Sequence, residues 1–235
     1  MRSVIASPYR ARARRAWGAV CALALSAGTV GGQPIQYAVQ FRGDIVATQH
    51  VFVARGDERT TVRADFEADE LHVFVAVHRY AESLEATFDR EGRVHSFAAR
   101  VADGPRIVEL RGDADDGGNL SVVRVDRDGG VTNRIARDEY DFCSLALYGS
   151  APGDFLPTNQ PARVLRVDRG VVVPMQIDKI SESHTFERQN LKSDHLIWRD
   201  GERVWHSWHP EKFSNLPSRF VRQTDEGEFI FTLMR

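Results

Sequence analysis

The chain predicts an all-β fold: a curved antiparallel sheet or half-open barrel with one short helix, preceded by an N-terminal signal peptide. Three observations carry that prediction. From Gln36 onward, apolar and polar residues alternate with period two, segment after segment. Turn signals rich in glycine and aspartate separate those segments at hairpin spacing. Ahead of Asp44 there is no acidic residue at all, a composition unlike anything that follows.

The leader is read first. Arg2, Arg10, Arg12, Arg14 and Arg15 precede a small-residue apolar run from Ala16 to Val30. A basic head, one compact apolar block and then small residues describe a secretory signal peptide. The run is shorter than the roughly 20 residues a spanning helix needs. Small residues place cleavage near Gly28–Gly32, so residues 1–32 read as leader and 33–235 as a single β-rich domain, periplasmic or secreted. A mitochondrial transit peptide shares the arginine-rich, acid-free start, but its arginines spread along an amphipathic helix instead of clustering ahead of one block. Arg14-Arg15 suggests a twin-arginine signal and Cys21 a lipoprotein, but Val20 puts a branched residue before that cysteine where a small one is needed.

Removing the leader changes the charge balance. Five of the 31 basic residues go with it, so 26 remain against 33 acidic ones. Such an acidic domain has no general attraction for nucleic acid or anionic lipid. Only Cys143 remains, which excludes an intramolecular disulfide and any small oxidised scaffold. About 200 residues suffice for one domain with its own core.

The strands follow in order. Tyr37–Phe41 opens the pattern. Thr60, Val62, Ala64 and Phe66 then share one face, with Arg59, Thr61, Arg63, Asp65 and Glu67 on the other, which describes a half-buried antiparallel strand. Leu71–Tyr80 reads as one strand apolar on both faces (Leu71, Val73, Val75 and Val77 against Phe74 and Ala76), and so requires a cover on each side. Further runs fall at Leu84–Asp89, Val94–Val101, Arg106–Arg111, Leu120–Asp126, Ala162–Val167, Val171–Ile177, Asp194–Trp198, Val204–Trp208, Ser218–Gln223 and Glu228–Met234. The one helix starts at Asp138 or Asp141, places Phe142, Leu145 and Ala146 on one face and ends at Gly149. A loop, Pro152–Pro157, follows it.

The run Asp138–Tyr148 (acid, apolar, serine, apolar, tyrosine) resembles a segment of exported bacterial proteins in the domain-of-unknown-function families 6134 and 3108. Tyr37–Gly43 is similar to their first strand, and Leu196–Asp200 and Leu216–Phe220 to their last ones, so the likeness spans roughly Tyr37 to Leu233. The glycine of their second strand is absent around Ile45–Thr48. The resemblance implies a periplasmic curved antiparallel sheet, a half-open barrel, with no assigned reaction.

Three of the four tryptophans, Trp198, Trp205 and Trp208, lie in one short stretch interleaved with His195, His206 and His209. His206 and His209 are three apart, so on a strand they point to opposite faces and one metal ion cannot take both. His206 shares its face with Trp208 and Val204, and His209 with Trp205 and Ser207. The tryptophans fill the core, or one of them lines the mouth of a cavity. Trp198, Trp205, Trp208 and His206 are therefore the candidate ligand-binding residues. Asp113, Asp115, Asp116 and Asn119 outline a calcium loop, but Arg124 stands where a bidentate glutamate is needed, and a solvated hairpin tip explains the same residues. There is no nucleophile elbow, phosphate loop or dinucleotide fingerprint, and Cys143 reads as a small buried hydrophobe.

No catalytic residue, cofactor or metal ligand is therefore assigned. The expectation is an exported, non-enzymatic β-domain that binds a lipid-like or other apolar envelope molecule in its concave face. The alternatives are an envelope structural or assembly factor working through protein contacts, and a hydrolase with an uncharted site. An outer-membrane barrel is disfavoured by the charged strand faces and the lack of aromatic girdles, so the domain is not expected to span a membrane or to bind nucleic acid.

Overall fold

A computed structural model describes residues 34–73, 76–149, 160–201, 203–213, 216–223 and 227–234, without the side chains of 69–73, 76–78 and 149. The expected signal peptide and its expected cleavage site, Cys21, Phe74, Val75 and the Pro152–Pro157 segment lie outside the described residues.

Fifteen strands form one sheet. They are β1 (Ile35–Phe41), β2 (Asp44–Arg55), β3 (Thr60–Val73), β4 (Ala76–Phe88), β5 (Val94–Asp103), β6 (Arg106–Ala114), β7 (Leu120–Asp126), β8 (Gly129–Ile135), β9 (Phe142–Cys143), β10 (Gln160–Arg166), β11 (Val171–Phe186), β12 (Gln189–Asp200), β13 (Arg203–Pro210), β14 (Arg219–Gln223) and β15 (Glu228–Leu233). Helix α1 is Ala146–Gly149. β1 and β15 pair antiparallel in the middle of the sheet, Tyr37 opposite Leu233 and Phe41 opposite Phe229. From that seam two meanders run outward, one through β2 to β8 and the other back through β14 to β9. All pairings are antiparallel except β9 with β10.

This topology forces the sheet to curl. β8 and β9 occupy opposite edges. At the usual strand spacing those edges would stand about 65 Å apart in a flat sheet, yet only residues 136–141 join them, a tether of about 25 Å at most. The second arm therefore rolls into the first. The Cys143 amide donates to the Gly92 carbonyl in the β4–β5 turn (3.1 Å), and the Val94 amide donates to the Tyr140 hydroxyl (3.2 Å). At the β10–β11 turn, Gly170 has φ +65°, and a Cβ there would stand 2.8 Å from Leu110 and 3.0 Å from Val122, which belong to β6 and β7. The turn lies so close against the first arm that only glycine fits.

The core has two parts. One gathers the inner faces of β1–β8 with Tyr148, Leu165, Val167, Phe229 and Phe231. The other gathers Phe142, Ala162, Val164, Met175, Ile177, Leu196, Trp198 and Trp205. β10 packs into both parts of the core, Leu165 one way and Ala162 and Val164 the other, while Pro161 and Arg163 stay exposed.

The all-β curved sheet, with a single short α-helix among the described residues, matches the expectation from sequence, and several local readings are corrected. Leu71–Tyr80 is not one strand. Leu71 pairs with His78 and Val73 with Ala76, so the run is the two ends of the β3–β4 hairpin. Its apolar stretch Val73–Val77 contains no residue that signals a turn. Val171–Ile177 places Met175 and Ile177 in one part of the core and half-buried Val172 against the other, while Val171 and Pro174 are exposed. The helix begins eight residues later than Asp138, because a 3₁₀ turn (Arg137–Glu139) and β9 take up the intervening chain. The Asp113–Asn119 segment is the β6–β7 hairpin tip. There Asp115 Oδ1 accepts from the amides of Gly117 and Asn119 (both 2.9 Å), and Arg134 donates to Oδ2 (2.9 Å). No helix among the described residues is long and apolar enough to cross a membrane.

Candidate ligand-binding cavity

Strand parity positions the site. On β13, Trp205 and Ser207 face inward. On β14 their cross-strand partners Arg222 and Phe220 do the same, and Phe231 follows on β15 opposite Phe220. Trp198 stands opposite Trp205 on β12. The first arm contributes Gln49, Ala64, Glu82 and Leu84 from β2, β3 and β4, and α1 with its preceding turn contributes Leu145, Leu147 and Tyr148. Between them lies a half-open cavity of about 110 Å³, mostly apolar, where the two parts of the core meet.

One end of this cavity is an ion network. Arg166 grips Asp168 with both Nε (2.8 Å) and Nη2 (2.6 Å). Arg222 Nη1 donates to Glu82 Oε2 (2.9 Å), and Tyr80 donates its hydroxyl hydrogen to the same oxygen (3.1 Å). Arg169 and Arg222 approach Asp168 at 3.9 and 4.0 Å. The Arg166 and Asp168 side chains are only 8% and 9% exposed, and Glu82 7%. Burial alone would raise the Asp168 carboxyl, but Arg166, Arg222 and Arg169 outweigh it and hold the group below the usual carboxylate range. Arg222 is likewise held well above its ordinary value by Glu82, Tyr80 and Asp168, against the effect of burial. Burial, reinforced by the charge of Glu82, pushes the Tyr80 and Tyr148 phenols upward. The Arg166 guanidinium lies 4.7 Å over the Trp205 ring.

The four sequence candidates divide between two faces. Trp198 and Trp205 line the cavity. The Trp198 indole donates to Ser207 Oγ (3.2 Å) and packs edge-on against Phe142. Trp208 and His206 point to the opposite face, with His195 and Glu182. Trp208 stacks on His195 (4.3 Å between ring centres) and on His184 (5.4 Å), and its indole donates to Glu182 Oε1 (2.8 Å). His195 Nδ1 lies 3.0 Å from that same oxygen, and His195 Nε2 lies 3.0 Å from His206 Nδ1. With both rings neutral, the protons assigned from these partners run from His206 to His195 to Glu182. Burial lowers both histidines below their ordinary value. No group of three or more metal-ligating side chains occurs among the described residues. Cys143 is buried, and burial pushes its thiol up to about 12.

Sequence reasoning did not pick out Glu82, Arg166, Asp168 or Arg222. A signal was present: Glu82 falls on the same parity as buried Leu84, Ala86 and Phe88, and Arg166 interrupts the apolar run Val164–Val167. A charge at an inward strand position requires a partner.

No protein-family model matches the chain, and no curated protein matches it. The likeness to families 6134 and 3108 therefore rests on its short motifs alone. Among solved structures, the chain is similar to a β-barrel-like protein of the domain-of-unknown-function family DUF1849 from Brucella abortus, with a TM-score of 0.56 and 8% identity over 86% of this chain and 94% of that one. A DUF1089 family protein from Pseudomonas aeruginosa aligns over 80% of this chain and 88% of its own with 11% identity, but its TM-score of 0.31 is too low to support a shared fold. The first likeness establishes the architecture: the chain has a β-barrel-like fold.

Proposed function

We propose that this chain is an exported, non-enzymatic β-domain that holds a lipid-like or other apolar molecule in the concave face of its rolled sheet. The observation that carries the reading is the half-open, mostly apolar cavity between the two arms. Among the described residues, the titratable groups at and behind the cavity support a binding role. The phenols of Tyr80 and Tyr148 and the Cys143 thiol are all pushed upward, and Asp168 is held low, so each keeps its ordinary charge state at neutral pH. The acid-free leader supports export. Titrating the full chain with the neutral apolar fluorophore N-phenyl-1-naphthylamine should give saturable one-to-one binding. Leu147→Trp, which fills the cavity from α1, should abolish it while leaving the circular dichroism unchanged. No saturable binding by the unaltered chain would sink the reading. Cell fractionation tests export separately.

A second reading, an envelope assembly factor, is favoured by β8. That strand ends the sheet, and six of its seven residues are exposed, Val131 at 57%. Among the described residues its outer edge is unpaired, a template for an added strand. Cross-linking from β8 to one envelope protein, with no ligand in the cavity, would select this reading.

A further inference from the structure

Three buried side-chain polar atoms among the described residues have no hydrogen-bond partner, and all three are donors: Arg166 Nη1, Trp205 Nε1 and Arg219 Nε. Two of them belong to residues that line the cavity and touch one another, the Arg166 guanidinium lying over the Trp205 ring. Both residues are more than nine-tenths buried, at 6% and 8% exposure. Folded proteins leave few buried donors unsatisfied, so two at one place mark a local shortage of acceptors. The charges show the same shortage. Arg166, Arg169 and Arg222 gather around Asp168 and Glu82, three cations against two carboxylates. Trp198, Met175, Phe220 and Phe231 form an apolar wall of the same cavity.

We propose that the cavity takes a short- to medium-chain fatty acid, its chain along that wall and its carboxylate accepting from Arg166 Nη1 and Trp205 Nε1. The assignment rests on the apolar-cavity reading above and deepens it. A carboxylate has two oxygens and about four lone-pair sites, enough for both donors, and its charge balances the third arginine. The half-open cavity, about 110 Å³, is on the scale of one short chain. Both nitrogens are covered by the surrounding side chains, so the carboxylate reaches them by parting the Arg166–Trp205 pair.

Calorimetric titration of the full chain with octanoate and with 1-octanol at pH 7.5 tests this. Octanoate should bind one-to-one and at least about tenfold more tightly than octanol, since a hydrogen bond to a charged group contributes about 1.5–3 kcal/mol. Trp205→Phe keeps a ring but removes the N–H, and Arg166→Lys removes the fork. Each should cut the acid-over-alcohol ratio to about threefold or less while the circular dichroism is retained. If Arg166→Lys fails to fold, Trp205→Phe alone decides. Equal affinity for acid and alcohol overturns the carboxylate assignment and leaves the apolar cavity standing. Binding of neither overturns both. A preference for octanoate that survives Trp205→Phe overturns the role given to these donors.

Discussion

The two faces of the β12–β13 hairpin use the same residue types for different ends. Inward, Trp198 and Trp205 are 3% and 8% exposed and pack against Phe142, Met175 and the Arg166 side chain. Outward, Trp208 stacks on His195 and His184, carries Arg219 over its ring at 5.4 Å and gives its indole hydrogen to Glu182. An indole on the inner face loses its area to the core, whereas one on the outer face is held by polar neighbours that water can replace. One residue of parity separates the two roles.

That contrast can be broken by substitution. The largest effect is expected for Trp198→Ala, about 3–5 kcal/mol of lost stability by urea unfolding, because it opens a hole between the two parts of the core. Asp168→Asn should cost about 3 kcal/mol, since it leaves Arg166 buried without its carboxylate. Trp208→Ala should cost only about 1 kcal/mol, the scale of exposed aromatic and cation–π contacts. A Trp208→Ala loss as large as that of Trp198→Ala would end the distinction between the faces.

The smallest effect is in pH dependence, and it sharpens the comparison by separating two windows. On the outer face, burial holds His184, His195 and His206 below their ordinary value. The unfolded chain binds more protons at these sites, so their contribution is complete above about pH 7 and is lost as pH falls through about 6.5 toward the folded values. On the inner face Asp168 titrates below its ordinary value. Its contribution is present above the unfolded carboxylate range, near pH 4, and is lost as pH falls through the lower folded value. The urea midpoint should therefore drop modestly between pH 8 and pH 5, and His195→Gln should flatten that segment without changing the acid limb below pH 4. An unaltered slope in His195→Gln would remove the outer histidine pair from the account.

The strands were legible where a turn residue bounded them. Arg90-Glu91-Gly92 and Asp200-Gly201 mark hairpins that exist, with Gly92 and Gly201 at positive φ. Boundaries were missed where turns lack such a signal. Phe186 pairs with Gln189 across Glu187 and Arg188, two non-glycine residues at φ +48° and +65°, so β11 runs nine residues past Ile177. The inward and outward assignments on β13 followed directly from alternation. The ion network did not. Glu82 and Arg222 are 140 positions apart, and no periodicity relates them.

The amino-acid order alone determines that this chain forms β-strands, where most of them lie and which side chains share a face, because period two is a property of the strand itself. It also determines that the first 43 residues carry no acid and that residues 33–235 carry an acid excess. Only the tertiary structure decides that six residues between opposite sheet edges roll the second arm into the first, that β10 packs into both parts of the core, and that Arg166, Asp168, Arg222 and Glu82 converge beside Trp205. Those outcomes depend on contacts between residues far apart in the chain, which local alternation cannot encode.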